Sequence, residues 1–544
     1  MRKVVLLMVS VWGSALWCDL VGSAESGRDM GALRDSVRKK IEFVRAEIAY
    51  LDSEHGPDDQ KWERHKKEAN ALIESCEQVL RSGPIEKLTE MEKQIEQLNE
   101  KIPLRLPSGP KGSGRFGAYY EKLKYNPAWD KLWKISPHAD VVVRFDEFDH
   151  RFVFWRGTSY IPCWATYDGA WYTNEFFERR GYLGGCNSMC EPMSDKQCRY
   201  SHVRILESND ARVVVHWRYS PIDLDYQHPY RDEMTGWGDW VDEYYTIYPD
   251  SVGVRKATIH TGSPQEDWIE YQEGIVINQP GTIPEENINY DAVTFANLKG
   301  ESKTYVWTED GGPRLRGAPE QACIQVINFK NPYKPFTVVN PDGVRIKTYR
   351  GHGQNSHFNW WNHWPVAQEK SDTTEATSAV RASHSSLTHI EWKQYSQEGI
   401  SRTWIMLNGM TEKPAGGLVP LARSWLYAPE LTLKKTLFGE SQFTSQGYDP
   451  TQRAYMLSCK KPHKPSKLEL RLAASENSPV VNPAFVVQDW GRVGAALKVN
   501  GKTVKRGKDL RFGHRRRLEG TDLIVWLKAE SAEPMTVSIS PVAN

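Results

Sequence analysis

The sequence predicts a mainly β protein with a large antiparallel, multi-sheet β-sandwich body, a smaller C-terminal β-sandwich and an N-terminal α-helical arm. From about residue 139 to residue 420, short runs of alternating apolar and polar residues are separated by turns, which is typical of antiparallel sheets. From about residue 425 the pattern continues in shorter strands, with a hairpin turn at Asn500-Gly501. A β-propeller body is the alternative, although no blade motif recurs with a period of about 40–50 residues.

The first 24 residues have the features of a secretory signal peptide. A basic start is followed by an apolar stretch, and the small residues that end at Ala24 provide a cleavage site. We therefore expect an exported protein, either periplasmic or secreted. No later stretch approaches the roughly 20 apolar residues of a membrane-spanning helix.

Residues 25–102 predict a helical, coiled-coil-like arm. Apolar residues recur there at spacings of three and four, and Gly56-Pro57 and Ser82-Gly83-Pro84 divide the pattern into three segments. Antiparallel helices follow from such short connections. The arm is either an oligomerising or partner-binding element or a cap on the body.

The remaining boundaries follow from composition. Residues 103–118 are rich in Pro, Gly and Ser and predict a linker. The β domain that would carry any chemistry is expected at 119–424, and the C-terminal sandwich at 425–544.

Composition narrows the class of function. The 70 Lys and Arg residues balance 69 Asp and Glu residues, which gives no argument for nucleic acid as a partner. The 21 Trp and 24 Tyr residues suit a protein that stacks aromatic rings on sugars, although large β cores also use these residues. Nucleophile-elbow, P-loop, zinc-protease and dinucleotide-binding motifs are absent from the sequence.

Two consecutive predicted strands, SHVRILE and ARVVVHWRY, carry the first candidate site. His202 and Arg204 share one face of the first strand, while Arg212, His216 and Arg218 share one face of the second. A three-residue loop would bring both sets to the same face, and a two-residue loop would not. Arginine binds carboxylate or sulfate and histidine moves protons near neutral pH, so this surface suits an anionic substrate. The alternative is an exposed polar face paired with acids.

A cysteine-rich segment follows a metal-ligand spacing. Cys186, Cys190, Cys198 and His202 are spaced C-x3-C-x7-C-x3-H, which would provide a structural tetrahedral zinc site. Because export favours disulfides, a bridge between two of these cysteines is the competing hypothesis. His202 cannot be both a zinc ligand and a free base. No other cofactor is expected.

A second candidate segment is GHGQNSHFNWWNHWPVAQ, residues 351–368. Asn362 and His363 supply polar groups and Trp364 an aromatic platform, which are the components of a sugar site, although the segment could also be a polar loop covering the sheet. Further candidates lie at strand ends and turns, where sites are usually built: Arg156, Tyr160, Trp164 and Asn174.

Four runs carry a resemblance to a known family: EPMSDKQCRYSHVRI, VVVHWRYS, GWGDWVDEYYTIYPDSVGVRK and NHWPVAQ. They resemble exported polysaccharide lyases of marine polysaccharide-degrading bacteria, specifically the ulvan lyases of polysaccharide lyase family 40. The resemblance covers roughly residues 140–540 and leaves out the helical arm.

The resemblance implies β-elimination at a uronic acid in an anionic, ulvan-like glycan. This reaction needs a cation or amide on the carboxylate, a base for the adjacent proton and an acid for the leaving oxygen. Strand alternation turns Tyr219 away from His216, which argues against that tyrosine. A hydrolase or dehydratase on the same glycans, or a non-catalytic glycan-binding protein, remains open. The candidates are Arg218, Arg204 or Asn362 for the carboxylate, His216 or His363 as base, and Tyr160 or Tyr219 as acid.

Overall fold

The computed structural model describes residues 30–54, 60–101, 115–123, 138–166, 169–174, 176–180, 184–262, 268–269, 271–277, 287–307, 318–349, 357–358, 384–434 and 441–542. The predicted signal peptide lies outside them. The chain divides into two compact units, Met1–Pro103 and Leu104–Asn544. Among the described residues, no helix combines the length and apolarity needed to cross a membrane.

The first unit consists of the helices α1 (Met30–Glu54), α2 (Gln60–Ser82) and α3 (Ile85–Lys101). Val37, Ile41 and Val44 of α1 are buried at alternating spacings of four and three, as the sequence pattern predicts. The apolar core also holds a polar contact, because the Glu92 carboxylate accepts hydrogen bonds from Ser36 Oγ at 2.6 Å and Lys40 Nζ at 2.8 Å.

The second unit begins with the strands of the body. In chain order these are β1 (Gly117–Glu121), β2 (Asp140–Arg144), β3 (Arg151–Phe154), β4 (Pro162–Ala165), β5 (Trp171–Thr173), β6 (Glu178–Arg179), β7 (His202–Ser208), β8 (Val213–Tyr219), β9 (Trp240–Ile247), β10 (Val252–His260), β11 (Trp268–Ile269), β12 (Tyr271–Ile277), β13 (Ile288–Ala296), β14 (Ser302–Tyr305), β15 (Ile324–Phe329), β16 (Lys334–Val338), β17 (Arg345–Thr348), β18 (His357–Phe358), β19 (His384–Glu391), β20 (Ser396–Glu398) and β21 (Ser401–Thr411).

A short helix, α4 (Val419–Leu426), connects the body to the strands of the C-terminal sandwich. These strands are β22 (Leu431–Leu433), β23 (Phe443–Asp449), β24 (Ala454–Cys459), β25 (Leu468–Leu472), β26 (Val480–Val481), β27 (Ala484–Gln488), β28 (Gly494–Val499), β29 (Lys502–Val504), β30 (Leu510–Arg516), β31 (Thr521–Leu527), β32 (Glu530–Ser531) and β33 (Met535–Val542).

Two large sheets form the body. One has the order β1-β2-β3-β4-β5-β12-β19-β17, with β18 beside β19, and the other has the order β14-β13-β15-β16-β21-β10-β9-β8-β7, with β20 beside β21. The sheets pack face to face: the rings of Phe152 and Tyr245 are 5.3 Å apart, and Trp164 Nε1 donates to Asn408 Oδ1 at 3.3 Å. The predicted mainly β, antiparallel multi-sheet class is therefore confirmed, with a sandwich body rather than a propeller.

An ion pair lies between the two large sheets. Arg255 donates from Nε and Nη2 to the two Glu243 carboxylate oxygens, at 2.7 and 2.6 Å. The hydroxyls of Tyr219 and Tyr245 donate to the same carboxylate at 2.9 and 2.6 Å. Arg255 Nη1 also donates to Gln272 Oε1 of the opposite sheet at 2.6 Å, so the network connects β8, β9 and β10 to β12.

The C-terminal sandwich consists of two five-stranded sheets, β22-β25-β33-β28-β29 and β23-β24-β27-β31-β30. The predicted hairpin turn joins β28 to β29, and both Asn500 and Gly501 have positive φ, as a tight primed turn requires. Its second sheet packs on the body. Tyr248 and Trp526 share an apolar cluster there, and Arg453 pairs with Asp250 at 2.8 Å.

We expect Glu243→Ala to lower the free energy of unfolding by about 3–5 kcal/mol, because it leaves the buried guanidinium of Arg255 uncompensated. Denaturant unfolding followed by tryptophan fluorescence measures the change. Lys502→Ala, at an exposed position of β29, is the control and should stay within about 0.5 kcal/mol of the parent protein. Equal stability of the two variants would contradict a structural role for the pair.

Candidate functional site

The hairpin of β7 and β8 has the register that gathers its histidines and arginines. His202 lies opposite Arg218 and Arg204 lies opposite His216, with a β-bulge at Leu206 between them and the turn. In β8 alternate residues are buried in the core, so His216 and Arg218 face outward. Arg212 does not join this face, since it is buried and pairs with Glu207 at 2.7 Å.

Asp242 of β9 is the centre of the outward-facing cluster. Its Oδ1 lies 2.6 Å from His216 Nε2, and its Oδ2 lies 2.8 Å from Arg218 Nη1 and 3.0 Å from His260 Nε2. Burial favours a raised pKa for Asp242, but the hydrogen bonds from the two imidazoles and the charge of Arg218 outweigh it and lower the pKa. The carboxylate is therefore ionised near neutral pH.

His216 is held in one orientation and one tautomer. Because an ionised carboxylate only accepts hydrogen bonds, Nε2 must donate to Asp242, which leaves Nδ1 as the ring nitrogen available to a ligand. Nδ1 has no hydrogen-bond partner among the described residues and is not enclosed. The ring stacks on Tyr244, the residue opposite it on β9, with centroids 4.6 Å apart.

Tyr244 stacks its phenol ring on the imidazole of His216. Its hydroxyl also has no hydrogen-bond partner in the described part of the chain and is not enclosed. Burial, and then the negative charge of Asp242, raise the pKa of Tyr244. The phenol therefore stays protonated near neutral pH and can donate a proton.

His260 and Arg218 occupy the other side of Asp242 in different ways. His260 Nδ1 lies 2.7 Å from Ser401 Oγ while its Nε2 contacts Asp242, so both ring nitrogens are engaged. The Arg218 guanidinium lies 4.8 Å from the ring centroid of Trp240, which fixes its plane and leaves it partly exposed. Arg218 is therefore the cation available to an anionic ligand.

A groove of about 590 Å³ opens beside this cluster and is lined by Arg218, His260, Trp237 and Trp240 among others. The side chain of Trp237 is 61% exposed. An exposed indole next to a positively charged guanidinium is suited to an anionic sugar, whose ring can stack while its charge is neutralised.

The structure buries five of the predicted catalytic and substrate-binding residues. Tyr219 donates to Glu243 within the core, and Arg156 pairs with the buried carboxylate of Asp140. A polysaccharide has no access to these side chains in the folded protein, so their burial argues for structural roles. All five are at most 8% exposed: Arg156, Tyr160, Trp164, Asn174 and Tyr219.

The second predicted segment lies almost wholly outside the described residues. Asn362, His363 and Trp364 are among those not described, and their assignment stays a prediction. Only β18 of this segment is described, and its backbone pairs with β19 at Ser385 and His384.

The predicted zinc ligands do not converge on one point. Cys186 Sγ lies 3.6 Å from the Gln227 carbonyl and Cys190 Sγ lies 3.8 Å from the Ser188 carbonyl. Cys198 Sγ lies 3.5 Å from the Arg156 carbonyl, and His202 is exposed on β7. Within the described ranges, no group of three or more His, Cys, Asp or Glu side chains is arranged to hold a metal ion. The described residues thus do not assemble the predicted tetrahedral site.

A second ionisable cluster lies on the outward face of the other large sheet. His389 Nε2 is 2.7 Å from Glu273 Oε1. Burial, and then the charges of Glu178 and Glu273, raise the pKa of Glu191, while burial lowers the pKa of Lys196 to about 7. Glu191, Glu178 and Glu273 thus form a cluster of interacting carboxylates.

Three residues of the cluster were not predicted from the sequence: Asp242, Tyr244 and His260. A signal for them was present, because Asp242 and Tyr244 alternate in VDEYYTI and His260 ends VGVRKATIH. What was lacking was the strand order: nothing in the sequence states that β9 pairs with β8, or that β10 pairs with β9.

No protein-family model matches this sequence, and no curated protein matches it. Two solved structures show weak similarity. A Paenibacillus xanthan lyase has 10% identity and a TM-score of 0.26, over 93% of this chain and 44% of that chain. A heparinase III gene product with methylated lysines has 10% identity and a TM-score of 0.24, over 80% of this chain and 58% of that one.

This chain spans about half the length of each neighbour. At these TM-scores no residue or role is transferred from them.

Asp242 makes stability depend on pH. The pKa of Asp242 is lower in the folded protein than in the unfolded chain, where it is about 4. The ionised carboxylate therefore stabilises the fold at pH values above about 4. This stabilisation is lost as the pH falls from about 4 through the pKa of the folded state. We expect Asp242→Asn to melt below the parent protein at pH 7, with a difference that shrinks below about pH 4. Thermal unfolding from pH 3 to 8 measures this, with the exposed Asp509→Asn as control. A constant difference across that range would contradict the assignment.

Proposed function

We propose that this protein is an exported polysaccharide lyase that cleaves a uronic-acid-containing, ulvan-like anionic glycan by β-elimination. The observation that carries the proposal is the pairing of an Asp242-oriented imidazole, His216, with an accessible phenol, Tyr244, beside the cation Arg218. A base, an acid and a charge-neutralising group are the three components that the reaction needs.

Arg218 binds the uronate carboxylate in this mechanism. Neutralising that charge makes the proton on the adjacent ring carbon, C5, more acidic, and Trp240 beneath the guanidinium keeps it oriented. Arg204, exposed opposite His216 on β7, supplies a second cation for a sulfate or carboxylate on the same chain.

His216 and Tyr244 transfer the protons. His216 Nδ1 takes the C5 proton, and Asp242 stabilises the imidazolium that forms. The electron pair left at C5 forms the C4=C5 double bond as the C4–O bond breaks, and the departing oxygen takes the proton of Tyr244. Return of the imidazolium proton through solvent to the phenolate restores the site.

The second candidate is a glycoside hydrolase. The specific observation in its favour is the closeness of Glu191 to other carboxylates: burial, and then the charges of Glu178 and Glu273, raise its pKa. Hydrolases need one carboxylic acid and one carboxylate. The Asp242 cluster favours the lyase, because its imidazole and phenol are stacked and both have accessible reactive atoms.

Incubation with a panel of uronate glycans, with absorbance and reducing ends followed together, tests the proposal. A lyase produces an unsaturated sugar with a new ultraviolet absorbance, and we expect His216→Ala and Tyr244→Phe each to lower the rate by about 10²–10⁴-fold. The matched controls are His463→Asn, at an exposed position with positive φ that Asn tolerates, and Tyr290→Phe, at an exposed tyrosine. Both should keep full activity.

Other results of the same assay would support the two alternative functions, hydrolysis and glycan binding without catalysis. Reducing ends without absorbance, abolished by Glu191→Gln, would establish the hydrolase. Binding of a glycan without formation of any product would support a non-catalytic glycan-binding protein. Full lyase activity in a folded His216→Ala variant would refute the site while leaving the reaction class intact.

A further inference from the structure

A charged groove of about 350 Å³ lies where the body meets the C-terminal sandwich. Its lining includes four cationic side chains and two carboxylates, which leaves two positive charges in excess. The charged residues of this groove are Arg115, Arg506, Lys508, Arg511, Asp146 and Asp210.

Two of the guanidiniums are held side by side by one carboxylate. Asp210 accepts from Arg115 Nε at 3.1 Å and from Arg506 Nη2 at 2.9 Å. The Arg506 guanidinium also lies 4.1 Å from the ring centroid of Phe512, which restricts its plane. Both arginines remain largely exposed, at 77% and 56%, and each keeps N–H donors beyond those used by Asp210.

The excess charge lies on the open side of the groove. Arg511 is buried and donates to both carboxylate oxygens of Asp146, at 2.7 and 2.9 Å, so this pair is internally neutralised. Lys508 is exposed and has no ion-pair partner within the described ranges. Arg115, Arg506 and Lys508 are therefore the cations that face solvent.

The groove and the Asp242 cluster lie at opposite ends of the same hairpin. Asp210 is in the turn between β7 and β8, six residues before His216, which corresponds to roughly 20 Å along a strand. Between them β7 is an edge strand that exposes Arg204, and the hydroxyl of Tyr120, a residue that is 57% exposed, accepts the Ile205 N–H. An exposed surface with one further cation thus connects the two sites.

We propose that Arg115, Arg506 and Lys508 form a second anion-binding site, which holds a distal part of the same acidic glycan chain whose uronate reaches His216. This inference rests on the proposed function for the identity of the ligand. A chain long enough to occupy both sites binds more tightly than a short one, because the second contact is intramolecular. The site thus makes the protein selective for long chains.

The test compares two double variants with the same change of net charge. Arg506→Glu/Lys508→Glu removes the site, whereas Lys498→Glu/Lys502→Glu changes two exposed lysines of the β28–β29 hairpin and is the control. Each pair is placed in the His216→Ala background, and retention on an immobilised uronate polysaccharide is measured at low salt. We expect the site variant to lose at least about tenfold in affinity and the control to lose little.

A second double variant, Arg506→Gln/Lys508→Gln, removes the two positive charges without placing a glutamate next to Asp210. It therefore separates loss of the site from misfolding caused by the new negative charge. It should retain the parent melting temperature and still lose affinity. In the background with His216 intact, kcat/KM should fall on the polysaccharide and stay unchanged on a tetrasaccharide that is too short to reach the groove.

Several outcomes would overturn the inference. Equal losses in the site variant and the control would show that only net charge matters. Equal retention on polyphosphate would show a general polyanion surface rather than a glycan site. If no variant, including the parent protein, makes unsaturated product, the lyase proposal fails, but the retention difference still decides whether the groove binds the glycan.

Discussion

The Glu243–Arg255 ion pair, enclosed between the two large sheets, is the interaction on which the arrangement of the site depends. A charged pair in an apolar core is tolerated only where its hydrogen-bonding capacity is satisfied, and here Tyr219, Tyr245 and Gln272 satisfy it. The network fixes the relative positions of β8, β9 and β10 and ties them to the opposite sheet.

The outward faces of the same strands carry the candidate site. Glu243 is buried and its neighbours Asp242 and Tyr244 face outward, just as Tyr219 is buried and Arg218 faces outward. Because successive side chains point to opposite faces of a strand, locking the inner residues in the core also fixes the outer ones. Precise hydrogen bonds around Asp242 are thus achieved on a rigid sheet rather than on a loop.

The C-terminal sandwich packs on the body and also contributes charged residues next to the β7–β8 hairpin. It meets the body through an apolar cluster around Tyr248 and Trp526 and through the Arg453–Asp250 ion pair. This docking places Arg506 next to Asp210 at the turn of the hairpin whose strands carry His216 and Arg204. A domain distant in sequence therefore extends the positively charged surface of this hairpin.

By itself the sequence determined the mainly β class, the helical pattern of the N-terminal segment, the hairpin at Asn500-Gly501 and the alternation that sets His216 and Arg218 on one face. These features depend on residues close together in the chain, where periodicity and turn chemistry act. Only the tertiary structure decided that Asp242, Tyr244 and His260 join them, because strand order is a long-range property. It also showed that Tyr160, Trp164 and Asn174 are buried. Their polar and aromatic groups suit a binding site as well as a core, and no local sequence pattern specifies which of them are buried.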